Sequence, residues 1–228
     1  MKKLAIFVEG YTELRFVERL IIEIAGRISI AISKHQMRKH VMVQIEGRSA
    51  TSNADFFVMI VDCRGDKAVR DRIGEQHAAL TSAGFSKIIG IRDVRPDFRK
   101  EDVSRLRAGL RMYLKTSLAP VSFALGQMEI EAWFLAETNH FPKVDAALTK
   151  EAVAAHLGFD PDIHDVTTRD NPTADLESAY ALVGKEYRKG NAKALAAILD
   201  FDYIYCVLRQ RIPDLAILCD DIDEFLAA

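Results

Sequence analysis

The sequence predicts an α/β protein: a mostly parallel sheet of four to five strands, flanked by helices. Three observations carry the prediction. Over residues 3–137, short apolar runs alternate with segments of helical periodicity, the order expected when helices join parallel strands. The runs show no polar/apolar alternation, as befits strands covered on both faces. Four of them have an acid just past their end, at Glu9, Asp62, Asp93 and the pair Glu129/Glu131. Beyond about residue 140 the strands cease and short helical pieces follow. The chain therefore divides into an α/β domain at 1–137 and a helical C-terminal subdomain, or a cap over the sheet, at 138–228.

Taken in order, Leu4-Ala5-Ile6-Phe7-Val8 is a buried central strand that stops at Glu9-Gly10. Leu14, Val17, Leu20, Ile21 and Ile24 then recur at helical spacing. Thr12 can cap this helix through its hydroxyl, and Glu13 in the first turn complements the helix dipole. Lys34 to His40 reads as a polar, basic link into a second apolar run, Val41 to Ile45, and Gly47 to Asn53 reads as a loop. Phe56 to Val61 is the next strand. It ends at Asp62-Cys63-Arg64-Gly65-Asp66, turn chemistry in which Asp66 can cap the following helix. That helix, Lys67 to Ala83, sets Val69, Ile73, His77 and Leu80 on one face and closes at Gly84.

Lys87 to Ile91 forms another buried strand, ending at Arg92-Asp93-Val94-Arg95-Pro96-Asp97, and Val103, Leu106, Leu110 and Leu114 mark a further helix. Val121 to Leu125 is the last strand and leads into Met128 to Ala136, with Trp133 expected in the core. Leu148 to Leu157, Leu176 to Val183, Ala192 to Leu199, Tyr203 to Arg211 and Ile222 to Leu226 are helical pieces of the C-terminal part. A polar linker runs between Phe159 and Pro172.

Composition bounds the function. With 49% hydrophobic and 28% charged residues, the chain has the make-up of a soluble globular protein. Its formal net charge of −2 gives no global basic field, so a polyanion would need a local patch or a metal ion. Cys63, Cys206 and Cys219 lack CxxC spacing, which argues against a zinc site or disulfide framework and fits a reducing cytoplasm. Met1-Lys2-Lys3 and the apolar run behind it start like a signal peptide, but Glu9 and Glu13 interrupt the pattern. No apolar run approaches the roughly 18 residues that span a bilayer. A cytoplasmic protein without a membrane partner is expected.

Parallel strands place their carboxyl ends on one edge, so acids after four strands are expected to gather there. Carboxylates without a His or Cys set suit a hard cation, Mg²⁺ or Mn²⁺. Glu9 and Asp93 are the leading ligands, each with the ordinary reading of a loop acid. Asp97, after Pro96, either aims an oxygen at the same ion or holds its turn through an Asx bond. Asp62 is a ligand candidate that also reads as turn chemistry. On a strand Glu129 and Glu131 would share a face; on a helix they stand about 200° apart and only one reaches the site. The continuation Ala132-Trp133-Phe134-Leu135-Ala136 favours the helix, and Glu131. Arg92 reads equally as an ion-pair partner of Asp93 or as a phosphate ligand. Arg107, Arg111 and Lys115 form a stripe that either tracks a phosphate backbone or is a solvated face. No histidine ligand spacing and no Ser or Cys nucleophile with its base is visible.

Val8-Glu9-Gly10-Tyr11-Thr12-Glu13, followed by Phe16, resembles the opening motif of Toprim domains in overcoming-lysogenization-defect (OLD) type nucleases. Met128-Glu129-Ile130-Glu131-Ala132-Trp133-Phe134-Leu135 resembles a signature of prokaryotic Toprim-like families, several associated with phage defence. The resemblance covers residues 3–137 and extends in character to the tail. It implies a Toprim-like, Rossmannoid sheet and divalent-metal phosphoryl transfer, most often nucleic-acid cleavage. Glu9 and Glu13 would then be metal ligands or a general base, and Asp93 the first acid of an Asp-x-Asp. The second position is Arg95 here, so its role falls to Asp97, Asp62 or Glu131, or is missing.

The leading expectation is a metal-dependent nuclease or related phosphotransferase. Glu9, Asp93 and Glu131 would be catalytic, and the metal would be drawn from Glu9, Glu13, Asp62, Asp93, Asp97, Glu129 and Glu131. Arg92, Arg95, Arg107 and Arg111 would contact substrate phosphate. The rival expectation is a Toprim-like module that binds without turnover in a defence or toxin-like complex with a partner protein, which the Arg95 departure and mild net charge favour. A third is hydrolysis of a phosphate ester on a small nucleotide.

Overall fold

A computed structural model describes residues 1–47, 53–65, 68–112 and 114–227. Strand β1 (Lys2–Val8) is followed by helix α1 (Tyr11–Ala25), then β2 (Ile30–Arg38), β3 (Val41–Gly47) and β4 (Phe56–Asp62). Helix α2 (Ala68–Ser82), β5 (Phe85–Asp93), α3 (Val103–Arg111), β6 (Val121–Gly126) and α4 (Glu131–Ala136) complete the α/β part. The six strands lie in the order β3-β2-β4-β1-β5-β6. All neighbouring pairs are parallel except β2 with the edge strand β3. The sheet is thus α/β and mostly parallel, with one antiparallel edge.

One strand lies where a polar link was expected. Residues 30–38 form β2, in which the polar side chains of Ser33, Lys34 and Gln36 find partners inside the fold. Ser33 and Lys34 are buried, and Lys34 pairs with Glu18 and, at 2.9 Å, with Glu46. Sheet pairing with β4 and β3 satisfies the backbone, so a charged strand is tolerated here. The run from Val41 is a strand as expected, but largely exposed at the sheet edge. Of the loop expected over residues 47–53, Gly47 instead ends β3 and residues 48–52 lie outside the described residues, as does the cap assigned to Asp66.

β1 is covered on both faces from Leu4 to Val8, which explains its uninterrupted apolar character. Leu4, Ile6 and Val8 face α1 and the C-terminal helices, while Ala5 and Phe7 face the layer with α2 and α3. The C-terminal part contains α5 (Phe141–Val144), α6 (Lys150–Leu157), α7 (Pro172–Ala181), α8 (Ala192–Ile198), helical turns over 201–211 and a final helix, Pro213–Ala227. Leu176, Phe201, Leu215 and Phe225 share one hydrophobic cluster with Leu4, Phe16 and Trp133. Phe16 is its hub, with ring centroids 5.8 Å from Trp133, 5.4 Å from Phe134 and 5.6 Å from Phe201. Trp133 is buried there, as expected of a core residue. Among the described residues no helix is long and apolar enough to cross a membrane.

Candidate functional site

Register brings the acids together. β1 and β4 pair Val8 with Asp62, and β5 and β6 pair Asp93 with Gly126, so these strand ends share one edge of the sheet. Glu9 follows directly, and its Oε1 accepts from the Asp93 backbone N–H at 3.0 Å. Asp93 Oδ1 in turn accepts from the Ile130 N–H at 2.9 Å. Two local features open that seat. A Cβ on Gly126 would collide with Asp93 Oδ1 and stand 2.8 Å from Ile130 N. Met128, at φ 63°, takes the left-handed conformation that turns the chain from β6 into α4.

α1 begins differently from the expectation. Gly10 is its N-cap, and Glu13 reaches back to accept from the Gly10 N–H at 3.0 Å. Thr12 does not cap; its hydroxyl donates to the Lys189 carbonyl at 3.2 Å. That contact fastens the segment between α7 and α8 over the sheet edge. Lys189 Nζ then lies 3.3 Å from Glu131 Oε1 and 3.7 Å from Glu129 Oε1. Tyr187 donates to Glu131 Oε1 at 2.9 Å. Glu131 is fully buried, and its Oε2 has no hydrogen-bond partner among the described residues. Glu129 precedes α4 and accepts from Thr173 N–H at 3.1 Å, so both glutamates reach Lys189. Glu129 reaches Lys189 because α4 starts at Glu131 and helical angles do not govern the residue before it, whereas the glutamate that comes up to Asp93 and Glu13 is Glu131.

The electrostatics report the crowding. Burial pushes the Glu13 carboxyl up from 4.5 to about 7, with Glu131 adding repulsion and its backbone hydrogen bonds opposing the rise. Asp93 is held well above the ordinary range, by burial first and then by Glu13, Glu9 and Glu131. Burial disfavours the charge on Lys189, yet Glu131, Asp93 and Glu129 outweigh it and raise its affinity for the proton. Burial and the neighbouring Glu131 likewise keep the Tyr187 phenol protonated.

Among the described residues, no three His, Cys, Asp or Glu side chains already form a cage for a metal ion. The reason is visible: Glu9, Glu13 and Asp93 each turn an oxygen to a backbone N–H, and Glu131 to Tyr187 and Lys189. Mg²⁺ does not require such a cage, since it keeps several waters and takes one or two carboxylates. A buried Glu131 oxygen without a partner, beside acids that repel one another, is chemistry that a hydrated divalent cation fits. Glu9, Asp93 and Glu131 are the residues that would hold it, with Glu13 beside them.

The other expected residues lie around this centre. Arg92 Nε is 3.9 Å from Glu9 Oε1, and its guanidinium pairs with Asp97 at 3.2 Å. Asp97 thus sits against Arg92. Asp62 accepts from the Gln36 amide at 3.0 Å and from Arg64 N–H at 2.8 Å, which is structural work at the end of β4. Arg95 donates to the Asp170 carbonyl at 2.9 Å and so anchors the linker. Arg107 is corrected to a structural role: it donates to both oxygens of the buried Asp214, at 3.0 and 2.9 Å. Arg111 lines a separate depression with His77 and Lys115, away from the acids. Lys189 and Tyr187 escape sequence reasoning, because Tyr187-Arg188-Lys189-Gly190-Asn191 has only the polar composition of a loop.

The fold and site define an α/β protein with buried acids and Lys189 at the carboxyl edge of its sheet. No protein-family model matches the chain, and no curated protein sequence matches it either.

Proposed function

We propose that this chain is a divalent-metal-dependent phosphodiesterase of the nuclease type, with a Toprim-like fold, acting on nucleic acid in the cytoplasm. The observation that carries the reading is the convergence of Glu13, Asp93 and Glu131 beside Lys189 at the sheet edge, with Glu9 fixed on the Asp93 N–H. A bound Mg²⁺ or Mn²⁺ would supply charge neutralisation at the phosphate and an acidified water. The chain's own groups supply the rest. Glu13, with its carboxyl near pH 7, suits a proton acceptor at neutral pH. Glu9 and Asp93 hold each other's positions through the Asp93 N–H. Lys189 brings a fixed positive charge that can meet a phosphate oxygen. The resemblance to phage-defence families is consistent with such an activity.

The test is cleavage of supercoiled plasmid and single-stranded DNA with Mn²⁺ by the wild type, Glu9→Ala and Asp93→Asn. Metal-dependent nicking by the wild type, lost in both variants, is expected. A wild type that cuts neither substrate, or variants that cut equally well, would overturn the reading. A module that binds without turnover is the second reading. Arg95 favours it, because this side chain stands where a second acid would be and is engaged with Asp170.

A further inference from the structure

Beside the acidic edge lies a cleft of about 540 Å³ between β5, the turn after it, α2 and α3. That volume falls in the range of small-ligand sites. Leu106 and Leu110, both buried, line it together with Phe98. Arg92, Arg70 and Arg105 line it as well, facing Asp71 and Asp97, so the lining carries three positive and two negative charges. Arg92 is the wall shared with the site. It is 93% buried, stands 5.3 Å from the Phe98 ring centroid and reaches toward Glu9. Its Nε is buried without a hydrogen-bond partner among the described residues. Arg105 pairs with Asp102 at 3.0 Å, but three quarters of its side chain is exposed, so it can turn toward a ligand.

We infer that this cleft is a nucleotide subsite. It receives one phosphate on Arg92, Arg70 and Arg105, and the attached base over Phe98, Leu106 and Leu110. Guanidinium groups suit phosphate oxygens, and a nucleobase presents the flat face that aromatic and apolar walls accept. Such a unit would lie next to the acids, with Arg92 between it and Glu9. The inference rests on the phosphodiesterase reading only for its choice of a nucleotide. It makes Arg70, Arg105 and Phe98 substrate-positioning residues.

The experiment is calorimetric titration of the full chain, in EDTA, with adenosine 5′-monophosphate, adenosine and inorganic phosphate. The nucleotide should bind about tenfold tighter than either fragment, since both halves of the cleft contribute. Arg105→Ala should weaken the nucleotide about fivefold, and Phe98→Leu should weaken it similarly while leaving inorganic phosphate unchanged. Arg111→Ala, in the separate depression lined by His77 and Lys115, should not weaken it. Equal affinity for nucleotide and phosphate, or undiminished binding by both cleft variants with unaltered circular dichroism, would overturn the inference. So would an equal loss in Arg111→Ala. EDTA separates the two readings: a chain that never cleaves can still bind here, and a cleft that binds nothing leaves metal-dependent nicking to be judged on its own.

Discussion

Glu13 is a buried acid that the fold holds at a cost, and Glu13→Gln measures that cost. Burial pushes its carboxyl up from an ordinary 4.5 to about 7 in the folded chain. A rise of that size corresponds to a destabilisation on the order of 3 kcal/mol once the group is ionised. The sign follows from proton counting. Between about pH 4.5 and 7 the folded chain retains a proton that the unfolded chain has lost, so stability falls as pH rises through that window and levels off above it. Glutamine keeps an acceptor for the Gly10 N–H and has no charge to bury. Urea unfolding followed by the single tryptophan, the buried Trp133, gives the assay. In EDTA, wild type should lose ~3 kcal/mol more than Glu13→Gln between about pH 4.5 and 8. With Mn²⁺ at about pH 8 the deficit should shrink, because a cation binding only the folded state adds stability. Parallel stability–pH curves for the two proteins in EDTA would refute the reasoning.

Further outcomes follow from other contacts. Gly126→Ala should cost about 1–3 kcal/mol and abolish metal-dependent nicking, because the new methyl occupies the seat of Asp93 Oδ1; denaturant unfolding and the plasmid assay read both. Lys189→Met should destabilise the chain by about 2 kcal/mol in EDTA, because the buried Glu131 loses its cation and keeps the Tyr187 hydroxyl, and Mn²⁺ should recover part of the loss in thermal melts. Asp214→Ala should cost about 3 kcal/mol by stripping Arg107 and the Leu125 N–H of their buried partner. Mn²⁺ binding by that variant, measured under conditions where it remains folded, should match wild type.

Much of the edge was legible in the sequence. β1 is apolar without interruption because both its faces are covered, and its abrupt stop at Glu9 marks the edge. The same punctuation at Asp93 and Glu131 locates acids that the structure does bring together. Periodicity fails where a partner lies far along the chain. β2 looks like a linker because Lys34 and Gln36 are polar, yet Glu18, Glu46 and Asp62 match them inside the fold. Arg107 looks like part of a solvated or phosphate-binding stripe until Asp214, from the last helix, takes both its bonds. Lys189 carries no local signature at all. Its place follows from packing, through the Thr12 hydroxyl that holds its carbonyl.

Binding of Mn²⁺ tests the central claim most directly. The free-ion signal in electron paramagnetic resonance, recorded as wild type, Asp93→Asn and Glu131→Gln are titrated, reports occupancy without reference to any substrate. The wild type should deplete the free signal, and each variant should weaken the binding about tenfold or more, as expected when a charged ligand oxygen is lost. An undiminished free-ion signal with wild type, or equal depletion by both variants, would contradict a cation site built on these acids.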